Sequence, residues 1–210
     1  MKKIIASITA VIILAILGAL GINIFRNMGP RDREKAENGS TLVVEELSWY
    51  NHGEKQAGKV WKPGDENGNF SDSLGTRPVA MFFHDPMKGA YAESIVKRLA
   101  SQGVIGYTTS CPEKSKDIES LIKRMGKQSF ADQDRIFIIA DTYAADAVVK
   151  AMLNIGRRTA GLVLIEPMLQ GKSAVTAKRY GNEILSISPE QKGEAFSLME
   201  DYMELRGAFK

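Results

Sequence analysis

Two continuous apolar runs, PVAMFFH and RIFIIAD, constrain this chain more than anything else in it. Neither alternates apolar with polar residues, as a strand with one wet face does. Each is therefore expected to be a strand buried on both faces. VIGYTTS, GLVLIEP and EILSIS read as three more strands. Between them lie stretches with helical spacing. YAESIVKRLASQG puts Tyr91, Ile95 and Leu99 on one stripe, with Gly103 where glycine favours a helix C-terminus. SKDIESLIKRMGK does the same with Ile118, Leu121, Ile122 and Met125, and Ser115 is the expected cap. YAADAVVKAML turns Ala144, Ala147, Val148, Ala151 and Met152 inward, and EAFSLMEDYMELRGAF closes the chain with Phe196, Met199 and Met203 on one face. Strands alternating with helices require right-handed crossovers and a sheet covered on both sides. The expected class is α/β, with a doubly wound, mostly parallel sheet. Ahead of it, TLVVEEL and QAGKVWKP have the character of an antiparallel pair, followed by a turn-rich loop, DENGNFSDSLGT.

The first 25 residues are of another kind. After Lys2 and Lys3 the sequence is uncharged to Phe25, and it is apolar on every face. It is long enough to span a bilayer, so residues 1–29 are expected to be an N-terminal transmembrane anchor. A cleaved signal peptide is the competing reading, with Ala19-Leu20-Gly21 as its small-x-small site. Residues 30–40 read as a polar linker, begun by the helix-stopping Gly29-Pro30, and residues 41–210 as the folded domain. Lys2 and Lys3 favour an inside N-terminus, while Arg26, Arg31, Arg33 and Lys35 pull the other way. The short lysine-led start is the form of an export signal, and the domain is expected on the extracytoplasmic side of a bacterial envelope. Lys2, Lys3 and Arg26 account for the whole net charge of +3. The remainder is balanced and interspersed, without the basic face a nucleic-acid binder needs. One cysteine, Cys111, and two histidines, His52 and His84, leave no disulfide framework and no familiar zinc spacing. No phosphate-binding glycine loop is present, so neither metal nor cofactor is expected.

The stretch FADQDRIFIIADTYAADAVVKAML runs through a buried strand and a sharp turn into a helix. Together with MFFHDP, AESIVKRLASQGV and AGLVLIEP, it resembles the α/β-hydrolase fold in its small dienelactone-hydrolase and esterase-like form, over roughly residues 42–190 and without a lid domain. The resemblance implies that Thr142 stands where the family has the serine of Gly-x-Ser-x-Gly, flanked by Ala140 and Ala144. It places Glu166 and Glu190 near the triad acid. Tyr143 becomes one backbone donor to the oxyanion, and His84, Asp85 and Pro86 stand at the family's His-Gly and second donor.

The chain departs from that pattern at every catalytic part. Thr142 is β-branched, ill suited to positive φ, and is alternatively the end of a strand and cap of a helix. No histidine follows His84, so no general base stands after the last strand. Pro86 has no N–H to donate, and Asp85 puts a carboxylate where an anion should form. The chain is expected to be too short for the final strand with its histidine loop. Three functions follow. The first is a degenerate pseudo-hydrolase, anchored in the membrane, that binds a small ligand or a protein partner. The second is an active esterase-like hydrolase with Thr142 or Cys111 as an unorthodox nucleophile. The third is a thiol-based redox protein using Cys111, which follows a strand in TTSCPEK.

Overall fold

The structure, a computed structural model, describes residues 32–209 except 37, 52–53, 66–69, 71–74, 156–158, 170 and 181–182. The expected anchor, His52 and most of the DENGNFSDSLGT loop lie outside the described residues. Among those described, no helix is long and apolar enough to cross a membrane.

The described residues open with three antiparallel strands, β1 (Asp32–Lys35), β2 (Thr41–Asn51) and β3 (Glu54–Pro63). β3 runs antiparallel to β5 (Ile105–Ser110), which joins this hairpin layer to a parallel array. The array contains β4 (Arg77–His84), β6 (Ala131–Ala140), β7 (Gly161–Ile165) and β8 (Ile184–Ile187). The sheet order is β1-β2-β3-β5-β4-β6-β7-β8. The expected antiparallel pair and the mostly parallel α/β sheet are both present.

The pattern of β4 explains the layering. Every residue from Pro78 to His84 is buried. Val79, Met81 and Phe83 face one core, with α2 (Ser115–Met125) and α3 (Ala145–Ile155) over it. Ala80 and Phe82 face the other, beneath α1 (Gly89–Ala100) and α5 (Ala195–Leu205). A strand with two dry faces must be apolar throughout, and each fully buried phenylalanine contributes roughly 2–3 kcal/mol. α4 (Gly171–Tyr180) packs beside α3. Gly106 sets the approach of α1 to β5: a Cβ there would lie 2.7 Å from the Val96 carbonyl oxygen.

Two local expectations are corrected. The polar linker is not wholly a linker, because Asp32–Lys35 pairs with β2 as a short, charged edge strand. Glu34 on it reaches Lys97 on α1, which ties the edge down. Ser115 does not cap α2. The N-cap is Lys114, whose backbone is extended, so Ser115 is already helical and no side chain closes that end.

The connections define a topological switch point. β4 lies between β5 and β6, and the chain passes from β4 to β5 on one side, then crosses to β6 on the other. Strand order reverses there, and parallel sheets hold ligands beyond the strand ends at such a point. Cys111 N–H donates to the His84 carbonyl and Asp141 N–H to the Phe83 carbonyl, so the three strand ends are stitched together.

Candidate functional site

Asp141 is the residue around which the strand ends are built. It follows β6 directly and is 2% exposed. Its Oδ1 accepts the N–H groups of Tyr143 and Ala144, both at 3.1 Å. Its Oδ2 accepts the N–H of Asp85 at 2.8 Å. The first two bonds have the form of an N-cap, and the backbone agrees: Ala145 N–H reaches back to the Asp141 carbonyl and Val148 N–H to that of Ala144. Asp141, not Thr142, therefore closes the turn 142–144 that leads into α3. An aspartate two and three residues ahead of otherwise unpaired amides is a cap signal, so ADTYAA could have yielded this residue from sequence.

This closure changes the meaning of the turn. In an esterase-like elbow the nucleophile is held in a strained backbone conformation, with oxygen exposed above the sheet. Thr142 carries no such strain: Glu166 is the single non-glycine residue with positive φ among the described residues. Tyr143 N–H, the expected oxyanion donor, points at the Asp141 carboxylate instead. Pro86 begins a short 3-10 turn, Pro86–Lys88, and has no N–H to offer. The N–H one residue earlier, at Asp85, is also bound to Asp141. The one amide expected to await a developing oxyanion, that of Tyr143, thus already holds a carboxylate of the chain. Asp85 turns its own carboxylate to Met87 N–H, at 2.8 Å, which closes the 3-10 turn.

His84 is buried at the end of β4, on the α1 face. Its Nδ1 lies 2.7 Å from the Asp85 carbonyl oxygen. A carbonyl only accepts, so Nδ1 carries the proton in that bond. The ring packs edge-on to Phe82 and against the open side of Gly89, where a Cβ would come within 3.5 Å of Cε1. These contacts explain His84 as the residue that seats α1 on the sheet. Its hydrogen bond does not go to Thr142.

The acids separate in the same way. Glu166, beyond β7, forms an ion pair with Lys192 at 3.0 Å and donates its N–H to the Ile187 carbonyl. Glu190 lies exposed in the 3-10 turn Pro189–Glu194, where hydrogen bonding to Ser188 holds its carboxyl below the usual range. Neither contact is with a histidine. Tyr91, half-buried on α1, senses Lys192, Glu166 and Asp141 electrostatically, and burial pushes its phenol up. Lys192 and Tyr91 were missed in the sequence because they come together only when α1 and the loop after β8 meet over the strand ends.

Cys111 is close enough to feel Asp141. Burial, and then that carboxylate, push its thiol up to about 12. A reactive cysteine needs the opposite setting, a neighbouring cation or a helix N-terminus. Among the described residues no cluster of three or more histidine, cysteine or carboxylate side chains could hold a metal.

No protein-family model matches the sequence, and no curated protein matches it significantly. Solved structures do resemble the fold. One is a protein described as a dienelactone hydrolase from Klebsiella pneumoniae, with TM-score 0.54 and 10% identity, over 80% of this chain and 82% of that one. Another is the fluorophosphonate-binding serine hydrolase F of Staphylococcus aureus, with TM-score 0.56 and 13% identity, over 80% and 88%. An arylesterase is matched at TM-score 0.47 and 13% identity, over 66% of this chain and 48% of its own length. With eight strands in this order and helices on both faces, the chain has the α/β-hydrolase fold.

Proposed function

We propose that this chain is a membrane-anchored pseudo-hydrolase that acts by binding a small ligand or a protein partner at the extracytoplasmic face of the envelope. The observation that carries this is the Asp141 carboxylate seated on the N–H groups of Tyr143, Ala144 and Asp85. An oxyanion hole works because its donors are preorganised and empty until charge develops, and each donor is worth on the order of 10²–10³ in rate. A resident anion cancels that advantage and repels a second one. The relaxed backbone at Thr142 and the separate engagements of His84, Glu166 and Glu190 support the same reading. The raised Cys111 thiol weighs against a thiolate nucleophile and against thiol redox chemistry.

The test uses the full chain in detergent. It is incubated with short-chain p-nitrophenyl esters and with a fluorophosphonate probe. The expected result is no turnover above buffer and no labelled band. Labelling that Thr142→Ala removes would overturn the proposal in favour of an active hydrolase. Extraction of membranes with alkaline carbonate tests the anchor, and a reporter fused at the C-terminus tests the side on which the domain lies.

A further inference from the structure

We infer that the edge of the sheet bearing the candidate site lies against the lipid bilayer that holds the N-terminal segment, and that Met87, Tyr143 and Met168 enter its interface. This rests on the proposed anchor and deepens it, because it says which face of the domain the membrane meets.

The first support is the direction of the chain. β5, β4, β6, β7 and β8 are parallel, so their C-terminal ends share one edge. β3 is antiparallel to β5, β2 to β3 and β1 to β2, so β1 runs away from that edge. Whatever precedes Asp32 therefore reaches β1 from the side of the site. The register gives its height: Asp32 pairs with Val44, Val44 with Trp61, Trp61 with Gly106 and Gly106 with Ala80. Ala80 stands four residues before the end of β4, so the site edge is roughly 13 Å further along the strand direction. Residues 26–31, six in number, separate the apolar segment from β1. Extended, such a tether reaches about 20 Å, enough to bring that edge to the membrane surface.

The second support is what the edge exposes. Met87 is 94% exposed, Met168 71% and Tyr143 56%. Each stands three residues past the end of a strand, β4, β7 and β6 respectively, and these strands are neighbours in the order β4-β6-β7. Both methionines directly follow a proline, Pro86 and Pro167. Val175, midway along α4, is also exposed, whereas exposed Leu153 and Leu205 lie near the C-terminal ends of α3 and α5. Single exposed apolar residues are ordinary, but a row along one edge marks an interaction surface. Tyrosine and flexible apolar side chains on a face tethered to a bilayer suit its interfacial layer.

The test places one cysteine at position 87, 143 or 168, or at the control positions 153 and 205, and labels it with an environment-sensitive nitrobenzoxadiazole dye. Native Cys111 is buried with a raised thiol, so the unsubstituted chain supplies a low background. The full chains are reconstituted in phosphatidylethanolamine and phosphatidylglycerol vesicles containing a doxyl-labelled lipid. Labels at 87, 143 and 168 are expected to shift to the blue and lose about half their emission to the doxyl lipid, against little change at 153 and 205. Equal behaviour at all five positions in chains that resist carbonate extraction overturns the inference while leaving the anchor intact. Chains released by carbonate overturn both. Shielding from aqueous iodide without doxyl quenching puts a protein on this edge and also overturns it.

Discussion

The turns after β6 and β7 begin alike and end differently. Both leave a buried parallel strand at the same edge of the sheet. Beyond β6 the chain enters α3 without strain, through the turn that Asp141 closes. Beyond β7 it passes through Glu166 at φ 48°, a conformation that costs a branched or long side chain about 1 kcal/mol or more. The strain persists at Glu166 because neighbours over-determine it: its N–H is held by Ile187 and its carboxylate by Lys192. A hydrolase would store strain at the first turn, where it lifts a nucleophile. In this chain the first turn has no non-glycine residue at positive φ, and the strain lies where the chain joins β7 to β8.

The comparison is broken most directly at Asp141. Asp141→Ala leaves three backbone N–H groups without their acceptor, two of them in the turn that leads into α3. The expected loss is about 3 kcal/mol in urea unfolding, and Asp141→Asn, which keeps an acceptor, should lose about half as much. If Asp141→Ala is nearly neutral, the carboxylate does not organise the strand ends.

A second effect follows from Cys111. Its folded thiol is raised to about 12, above the unfolded value, so its contribution is complete below the unfolded pKa. As pH climbs, the unfolded thiol releases its proton first, and stability falls through the window up to the folded value. The urea midpoint of the unsubstituted chain should therefore drop more than that of Cys111→Ala between about pH 8 and pH 10.5. Alkylation of Cys111 by iodoacetamide at neutral pH should also be slower than that of a free thiol.

Glycine scanning sharpens the two turns against each other with a smaller signal. Thr142→Gly loosens the turn that leads into α3 and should cost up to about 1 kcal/mol. Glu166→Gly relieves positive φ while losing a half-exposed ion pair, and should stay within about 0.5 kcal/mol of the parent. The reverse order would mean that the strained elbow sits at Thr142 after all. The smallest expected change is in chemistry: Thr142→Ala should leave ester turnover at the buffer rate in both proteins.

Much of the fold was legible because its cause is local. PVAMFFH and RIFIIAD could only be strands between two helical layers, and Ile118, Leu121, Ile122 and Met125 could only be the inner face of a helix. Edge strand β1 was not legible, since DREK has no apolar pattern and becomes a strand through pairing with β2 and the reach of Glu34 to Lys97. Around the site, the absent histidine after His84 and the missing N–H of Pro86 are properties of residue type, readable without coordinates. Asp141 was in view as a letter and passed over for the threonine beside it.

The sequence by itself determined the layered α/β architecture, the apolar N-terminal segment, the absence of a histidine after His84 and the want of an N–H at Pro86. These follow from periodicity and from functional groups that a residue either has or lacks. Only the tertiary structure decided that a carboxylate binds the amides of Tyr143, Ala144 and Asp85, that positive φ lies at Glu166, and that β1 runs away from the edge where Met87, Tyr143 and Met168 stand exposed. Each of these depends on strands distant in sequence meeting in one register, and hydrogen-bond direction and chain polarity exist only once they have met.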